Sequence, residues 1–142
     1  MGYVNIKNPP EYTDQIPKWD RQTLADGEAM GQVIEQLANN GAYLKKELER
    51  QEHVEPVTLT VSGWKEEAGL FTQTAAVPNV KEEQELRLLS ALEDSADGAE
   101  RKAYRKAFGI VSGGTGVTGN GTVTFKVDKK PAIDLTVGLE GV

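Results

Sequence analysis

The chain has two patterns of apolar residues: a helical repeat in its first half and alternation along much of its second half. Between residues 23 and 50, apolar residues recur at spacings of four and three once Gly41 is counted in the series. Charged and amide side chains cover the rest of that surface. The residues at the a and d positions of this heptad repeat form a narrow seam: Met30, Ile34, Leu37, Leu44 and Leu48. The pattern predicts a helix over residues 23–50 that oligomerises through the seam.

The start and the centre of this helix carry two further signals. Thr23 and Asp26 resemble an N-terminal capping box with Asp in place of Glu. Asn39, Asn40 and Gly41 weaken the case for a continuous coil, because an interior glycine costs about 1 kcal/mol relative to alanine. A helix of this length is marginal in water when isolated. We expect self-association into a bundle, most simply a trimer. A break near residues 39–41 and folding back onto the second half are the alternatives.

Residues 1–22 precede the helix, and prolines set their conformation. Asn8-Pro9-Pro10 and Ile16-Pro17 favour extended polyproline geometry over helix. The segment has little capacity for a core of its own, yet it carries side chains that offer large contact areas: Tyr3, Tyr12, Ile16 and Trp19. We therefore predict an extended docking arm that lies along another surface. A flexible terminus with only local contacts is the alternative.

Alternating apolar residues predict strands after a linker at residues 51–56, where Pro56 favours an end to the helix. In the first strand, Val57, Leu59 and Val61 alternate with polar residues, so we expect one face to be buried and the other to be exposed to solvent. A helix is the alternative for the short third strand, which is expected at residues 86–88. The expected strands lie at residues 57–61, 70–77, 86–88, 122–128 and 133–137.

A second helix is predicted before the last strands. Asp97 and Glu100 resemble a capping box, and Gly109 is placed to end the helix. Small side chains on one face allow close approach to a sheet, so this helix should cover one sheet face: Ala99, Ala103 and Ala107.

A short strand and a turn are expected after this helix. Ile110-Val111 should continue as a strand, followed by a mobile glycine-rich turn over residues 113–121, in which Asn120-Gly121 supplies positive φ angles. The predicted fold class is α+β, with an N-terminal extended arm and an oligomerising helix before a small β-rich domain. That domain covers residues 57–142 and includes one covering helix.

Composition narrows the function classes. The chain has 142 residues and a net charge of −6, which disfavours binding to a nucleic-acid backbone. It has no cysteine, which removes disulfides and thiolate nucleophiles together. No apolar run reaches the roughly 18 residues that a membrane span needs, and the first residues do not resemble a signal peptide. We therefore expect that the protein is synthesised in the cytoplasm and does not associate with a membrane.

No stretch of the chain assembles a reaction site, and we expect no enzymatic activity, no metal and no cofactor. The glycine-rich turn lacks the Gly-Lys-Ser/Thr ending of a phosphate loop. His53 lies between two glutamates and is expected to be a solvated residue, with a metal site on an oligomer axis as the alternative. Trp64 is expected to anchor the first strand in the core, and exposure for carbohydrate stacking is the alternative.

Four short motifs follow one another along the second half of the chain: Val57-Thr58-Leu59-Thr60, Gly63-Trp64, Phe71-Thr72-Gln73-Thr74 and Lys130-Pro131-Ala132-Ile133-Asp134. In order and spacing they resemble the small β-rich domain of structural proteins from phages and prophages of Gram-positive bacteria. Residues 13–37 are similar to the N-terminal segment of many phage fibre and baseplate proteins, an extended start followed by a short helix that mediates attachment and trimerisation.

This resemblance implies a virion protein on the particle exterior, either a fibre or an adaptor of the tail or baseplate, with a role in host attachment as a further expectation. The protein would dock through its arm and helix and project its β-rich domain. The alternatives are a capsid-attached head fibre or decoration protein and, in another class, a carbohydrate-binding module. The partners to expect are copies of the chain, other virion proteins and a host cell-surface glycan, without nucleic acid or membrane.

Overall fold

A computed structural model describes residues 2–20 and 26–142, which divide into two compact units, Met1–Arg50 and Gln51–Val142. The described residues form two helices and seven strands, so the predicted α+β class is confirmed. In chain order the elements are α1 (Gly27–Glu52), β1 (Val54–Leu59), β2 (Lys65–Glu67), β3 (Leu70–Ala76), β4 (Arg87–Ser90), α2 (Gly98–Ser112), β5 (Thr115–Gly119), β6 (Thr122–Val127) and β7 (Leu135–Glu140).

Asp26 takes the N-cap position of helix α1, which begins at Gly27. Its carboxylate accepts a hydrogen bond from the Glu28 N–H at 3.0 Å, and its carbonyl accepts one from the Met30 N–H at 3.0 Å. The cap expected at Thr23 falls outside the described residues. From this cap the helix continues through Asn39, Asn40 and Gly41 without the break that was considered.

The linker expected at residues 51–56 is wrong. Gln51 and Glu52 end α1, and β1 starts at Val54, so only His53 separates the two elements. Pro56 lies inside β1 instead of stopping the helix. A proline is tolerated there because β1 is an edge strand, where its missing N–H need not break a ladder.

The second unit contains two antiparallel sheets with strand orders β1-β7-β4 and β2-β3-β6-β5. Opposing residues of β1 and β7, such as Val57 with Val137 and Leu59 with Leu135, follow the alternation of the sequence. One core is shared by both sheets, and its strand residues include Leu59, Val123, Phe125, Val127, Leu135, Val137 and Leu139.

The five predicted strand ranges correspond to β1, β3, β4, β6 and β7, with shifted ends, whereas β2 and β5 were not predicted. The third strand forms at Arg87–Ser90, which excludes the helical alternative. Val61 starts a short 3-10 turn instead of extending β1, and its N–H donates to the Asp134 carboxylate at 2.7 Å. Ile133 precedes β7. The short strand β2 was not predicted, because Lys65, Glu66 and Glu67 carry no alternating pattern.

Helix α2 has the predicted capping box. The Asp97 carboxylate accepts from the Glu100 N–H at 2.8 Å, and the Asp97 N–H donates to the Glu100 carboxylate at 3.0 Å. The predicted end at Gly109 and the strand at residues 110–111 are wrong, since the helix continues to Ser112. The additional turn buries Val111, which continues the apolar face of Ala107 one turn later.

Helix α2 packs against β6 and β7, and therefore against a strand of each sheet, where one sheet face had been expected. The Tyr104 hydroxyl fixes this packing. It accepts a hydrogen bond from the Ala91 N–H at 2.8 Å and donates one to the Thr136 carbonyl at 2.8 Å. One phenol thus joins α2 to the central strand of the first sheet and to the segment that follows β4.

Most of the expected glycine-rich turn is strand β5. Gly113 and Gly114 end α2, and a side chain at Gly114 would collide with the main-chain oxygen of Lys126 in β6. The turn itself is Asn120-Gly121, and only Gly121 has a positive φ, of 73°. Gly121 accepts from the Val77 N–H at 2.9 Å and donates to the Val80 carbonyl at 2.8 Å, so the turn is anchored to the segment after β3.

We expect Tyr104→Phe to lower the free energy of unfolding of the second unit by about 1–2 kcal/mol, because it removes both hydrogen bonds of the hydroxyl. Urea denaturation followed by circular dichroism measures the change. Tyr43→Phe is the matched control, since the Tyr43 hydroxyl is not hydrogen-bonded to any described residue. Equal losses in the two variants would contradict a specific role for the Tyr104 hydroxyl.

Candidate docking and assembly site

The extended arm lies along α1 and is held there by asparagine amides. The Asn39 Oδ1 accepts a hydrogen bond from the Lys7 N–H at 2.8 Å, and its Nδ2 donates to the Asn5 carbonyl at 3.2 Å. The same Nδ2 donates to the Glu35 carbonyl at 2.9 Å, which fixes the amide on its own helix. The side chain of Asn39 therefore pairs with the arm much as a neighbouring strand would.

A second amide repeats this contact at the next residue of the helix. The Asn40 Oδ1 accepts from the Thr13 N–H at 2.8 Å, and its Nδ2 donates to the Thr13 carbonyl at 2.6 Å. The rings of Tyr12 and Tyr43 meet beside it, with centroids 5.8 Å apart and planes tilted by 49°. The arm is thus fixed at two points, one on each side of Pro9-Pro10.

The two amides contact only main-chain atoms of the arm. Asn39 is 8% exposed and is the one buried residue of α1 among those described, which its three hydrogen bonds explain. The large side chains of the arm are therefore exposed to solvent, with exposed fractions of 102% for Tyr3, 55% for Tyr12 and 42% for Trp19. Ile16 is half-buried. Three of the four predicted docking residues are therefore exposed.

The predicted seam lies on the other side of α1. Its five residues are exposed by 42% to 57%: Met30, Ile34, Leu37, Leu44 and Leu48. With about 100° of rotation per residue, Asn39 lies about 180° around the helix from the centre of the seam. Glu35, Asn39 and Tyr43, which contact the arm, occupy b, f and c positions of the heptad. These contacts lie on the face opposite the seam, while Asn40, which holds Thr13, is at a g position on the flank of the seam.

The two asparagines are the site residues that sequence reasoning missed. It treated Asn39 and Asn40 as weak points of the helix, because asparagine is a mediocre helix former. Their signal was their position outside the seam, Asn39 opposite it and Asn40 on its flank, downstream of an extended segment. Extended segments have main-chain groups that need partners, and amides can supply both a donor and an acceptor.

The other candidate residues do not form a site. Trp64 is 6% exposed and belongs to the core, as predicted, which removes it as a platform for carbohydrate stacking. The His53 Nε2 lies 3.1 Å from the Glu55 Oε2 on an exposed surface. Within residues 2–20 and 26–142, no three His, Asp or Glu side chains converge in a way that could hold a metal ion.

No protein family, no curated protein and no solved structure matches this chain. Neither of the helices in the described part of the chain has the length and apolarity required to cross a bilayer.

We expect Asn39→Ala to release the arm near Lys7 while it leaves α1 intact. The variant removes the partners of the Lys7 N–H and the Asn5 carbonyl, and alanine is a better helix former than asparagine. Amide hydrogen exchange at Lys7 should become roughly tenfold faster, while exchange at Thr13, which Asn40 holds, should change little.

Gly41→Ala is the control for helix propensity, because a Cβ at Gly41 meets no atom within 4 Å. It should raise the helix content and leave exchange at Lys7 unchanged. Unchanged exchange at Lys7 in Asn39→Ala would show that this amide does not hold the arm.

Proposed function

We propose that this protein is a non-enzymatic structural component of a phage particle, with a position on the particle exterior. It assembles through the seam of α1, docks through its arm and displays the α+β unit. The observation that carries the proposal is the division of α1 into two faces, one covered by the arm and the other apolar and exposed. The resemblance of its sequence motifs to domains of phage structural proteins is the reason for proposing a phage particle.

The exposed seam supports self-association. Fully burying a leucine or isoleucine contributes about 1.5–3 kcal/mol, so these half-exposed residues would each contribute about 1 kcal/mol per protomer on association. Their heptad spacing suits parallel helices that pack knobs into holes. Gly41 occupies an a position in the middle of the seam, where a Cβ would have open space around it. A trimer is the assembly that we propose.

The arm would lie on the outside of such a bundle. The b, c and f positions of a heptad face away from the bundle axis, and the arm contacts Glu35, Asn39 and Tyr43 at these positions. Its further contact, with Asn40, is at a g position beside the seam. Bundling would therefore leave Tyr3, Tyr12 and Trp19 free for another virion protein. Aromatic side chains of this kind contribute strongly at protein interfaces.

The position on the particle has two candidates, a tail or baseplate fibre or adaptor and a capsid-attached head fibre or decoration protein. Both use a docking segment and an oligomeric stalk, so the arrangement of α1 supports each. Immunogold labelling of purified particles separates them by the location of the label. Particles that carry no copy of the protein would exclude both.

We expect the double variant Leu37→Asp/Leu44→Asp to convert the oligomer to monomers, because it would bury four or more carboxylates of a dimer or trimer in the seam. Sedimentation equilibrium over a wide concentration range measures the change in mass. Lys46→Asp is the matched control: it changes the charge by the same two units per chain, but at an f position, away from the seam. A folded monomer for the unsubstituted protein would exclude assembly through α1.

A further inference from the structure

The two sheets leave one side of the second unit open. Between the end of α2, β4 and β5 lies a cavity of about 450 Å³, bordered by Thr115, Gly116 and Thr118 of β5. Its apolar lining belongs to the core or packs against it: Leu86, Leu88, Val111, Val123, Phe125 and Leu139. The cavity therefore leads from an edge strand towards the shared core.

Strand β5 differs from the three other edge strands because its own sequence contains no residue that blocks pairing. Charged residues or proline normally block the edges of sheets. Strand β2 is Lys65-Glu66-Glu67, β1 contains Glu55 and Pro56, and β4 begins with Arg87. Strand β5 is Thr115-Gly116-Val117-Thr118-Gly119, with no charge and no proline, and Val117 is 54% exposed. The structure pairs β5 with β6 alone.

Gly116 has no explanation within the second unit. A Cβ at this position meets no atom within 4 Å, and its φ is not in the left-handed region. Glycine weakens the interior of a strand, and it often marks a place where another backbone approaches closely. Gly114, in contrast, is required by the main chain of Lys126.

The rim of the cavity is acidic. Glu82, Glu83 and Gln84 border a shallow depression together with Gly116 and Val117, and Glu85 lines the cavity itself. The Thr118 hydroxyl donates to the Gln84 carbonyl at 3.0 Å, which joins this acidic segment to one end of β5. The open part of the edge is therefore Thr115–Val117, with carboxylates close by.

We propose that this edge binds an extended segment of a partner protein by strand addition. The segment would pair its main chain with β5 and direct alternate apolar side chains into the cavity, while flanking lysines or arginines would face the acidic rim. This surface lies in a different unit from the arm and the seam, so it does not depend on the proposed assembly through α1.

The probe for this proposal is a synthetic peptide with the sequence of residues 122–130, Thr-Val-Thr-Phe-Lys-Val-Asp-Lys-Lys. Strand β6 pairs with the opposite edge of β5, so its sequence is compatible with pairing to β5. The sequence also combines the required alternation of apolar residues with basic residues. Binding to the full-length protein is measured by fluorescence anisotropy of the labelled peptide and by amide hydrogen exchange. We expect saturable binding and at least tenfold slower exchange within Thr115–Val117.

Gly116→Val tests the geometry. The open space around Gly116 accommodates the new side chain, so the variant should fold with unchanged or higher stability. The valine would occupy the space that the incoming segment needs, and we expect at least tenfold weaker peptide binding. Gly109→Ala is the matched control: it also adds a side chain in open space but lies on α2, and it should bind the peptide as the parent does.

Three results would overturn the proposal. The first is no slowing of exchange at β5, or slowing at β1 or β2 instead. The second is that Gly116→Val binds the peptide as tightly as the parent protein does, or that the parent binds a peptide of the same composition, with its apolar residues grouped together, as tightly as the original peptide. The third is protection of β5 that rises with protein concentration in the absence of peptide and persists in the Leu37→Asp/Leu44→Asp variant, because the occupant would then be a second copy of this chain.

Discussion

Hydrogen bonding between two helix amides and the main chain of the arm determines which surfaces of the first unit are left free. A long amphipathic helix with nothing on its polar side would leave the extended segment before it without partners. Asn39 and Asn40 give that segment both donors and acceptors. Because Asn39 holds the arm on the face opposite the seam, the apolar residues of the seam remain exposed.

The second unit is organised by a different constraint, which is that neither sheet has a core of its own. The inward residues of β6 and β7 meet in one cluster, and α2 contacts a strand of each sheet. Tyr104 and Val111 show how the helix serves both sheets, one through hydrogen bonds and the other through burial. The same arrangement explains the opening beside β5: α2 extends along only part of the gap between the sheets.

Periodicity in the sequence predicted the elements whose pattern is set by burial. The heptad of α1, the alternation of β6 and the capping box of α2 are local signals, and the structure contains all three elements. The errors arose where a residue acts through a distant partner. Pro56 indicates a break only until β1 is known to be an edge strand, and Gly109 indicates a helix end only until Val111 is known to reach the core. Strand β5 has no apolar alternation to detect, because all its residues except Val117 are threonine or glycine, and main-chain pairing with β6 requires no particular side chain.

The candidate site followed the same rule. The seam could be predicted because its residues share one face at heptad spacing, whereas the amides that hold the arm could not, because their partners are main-chain atoms some 30 positions earlier in the chain. That manner of holding has an evolutionary consequence. Since Asn39 and Asn40 hydrogen-bond only to main-chain atoms of the arm, substitutions at Tyr3 or Trp19 can change its exposed surface without loosening its attachment to α1. Under the proposed docking role, a lineage would acquire new attachment specificities by point mutation while the supporting helix stays as it is.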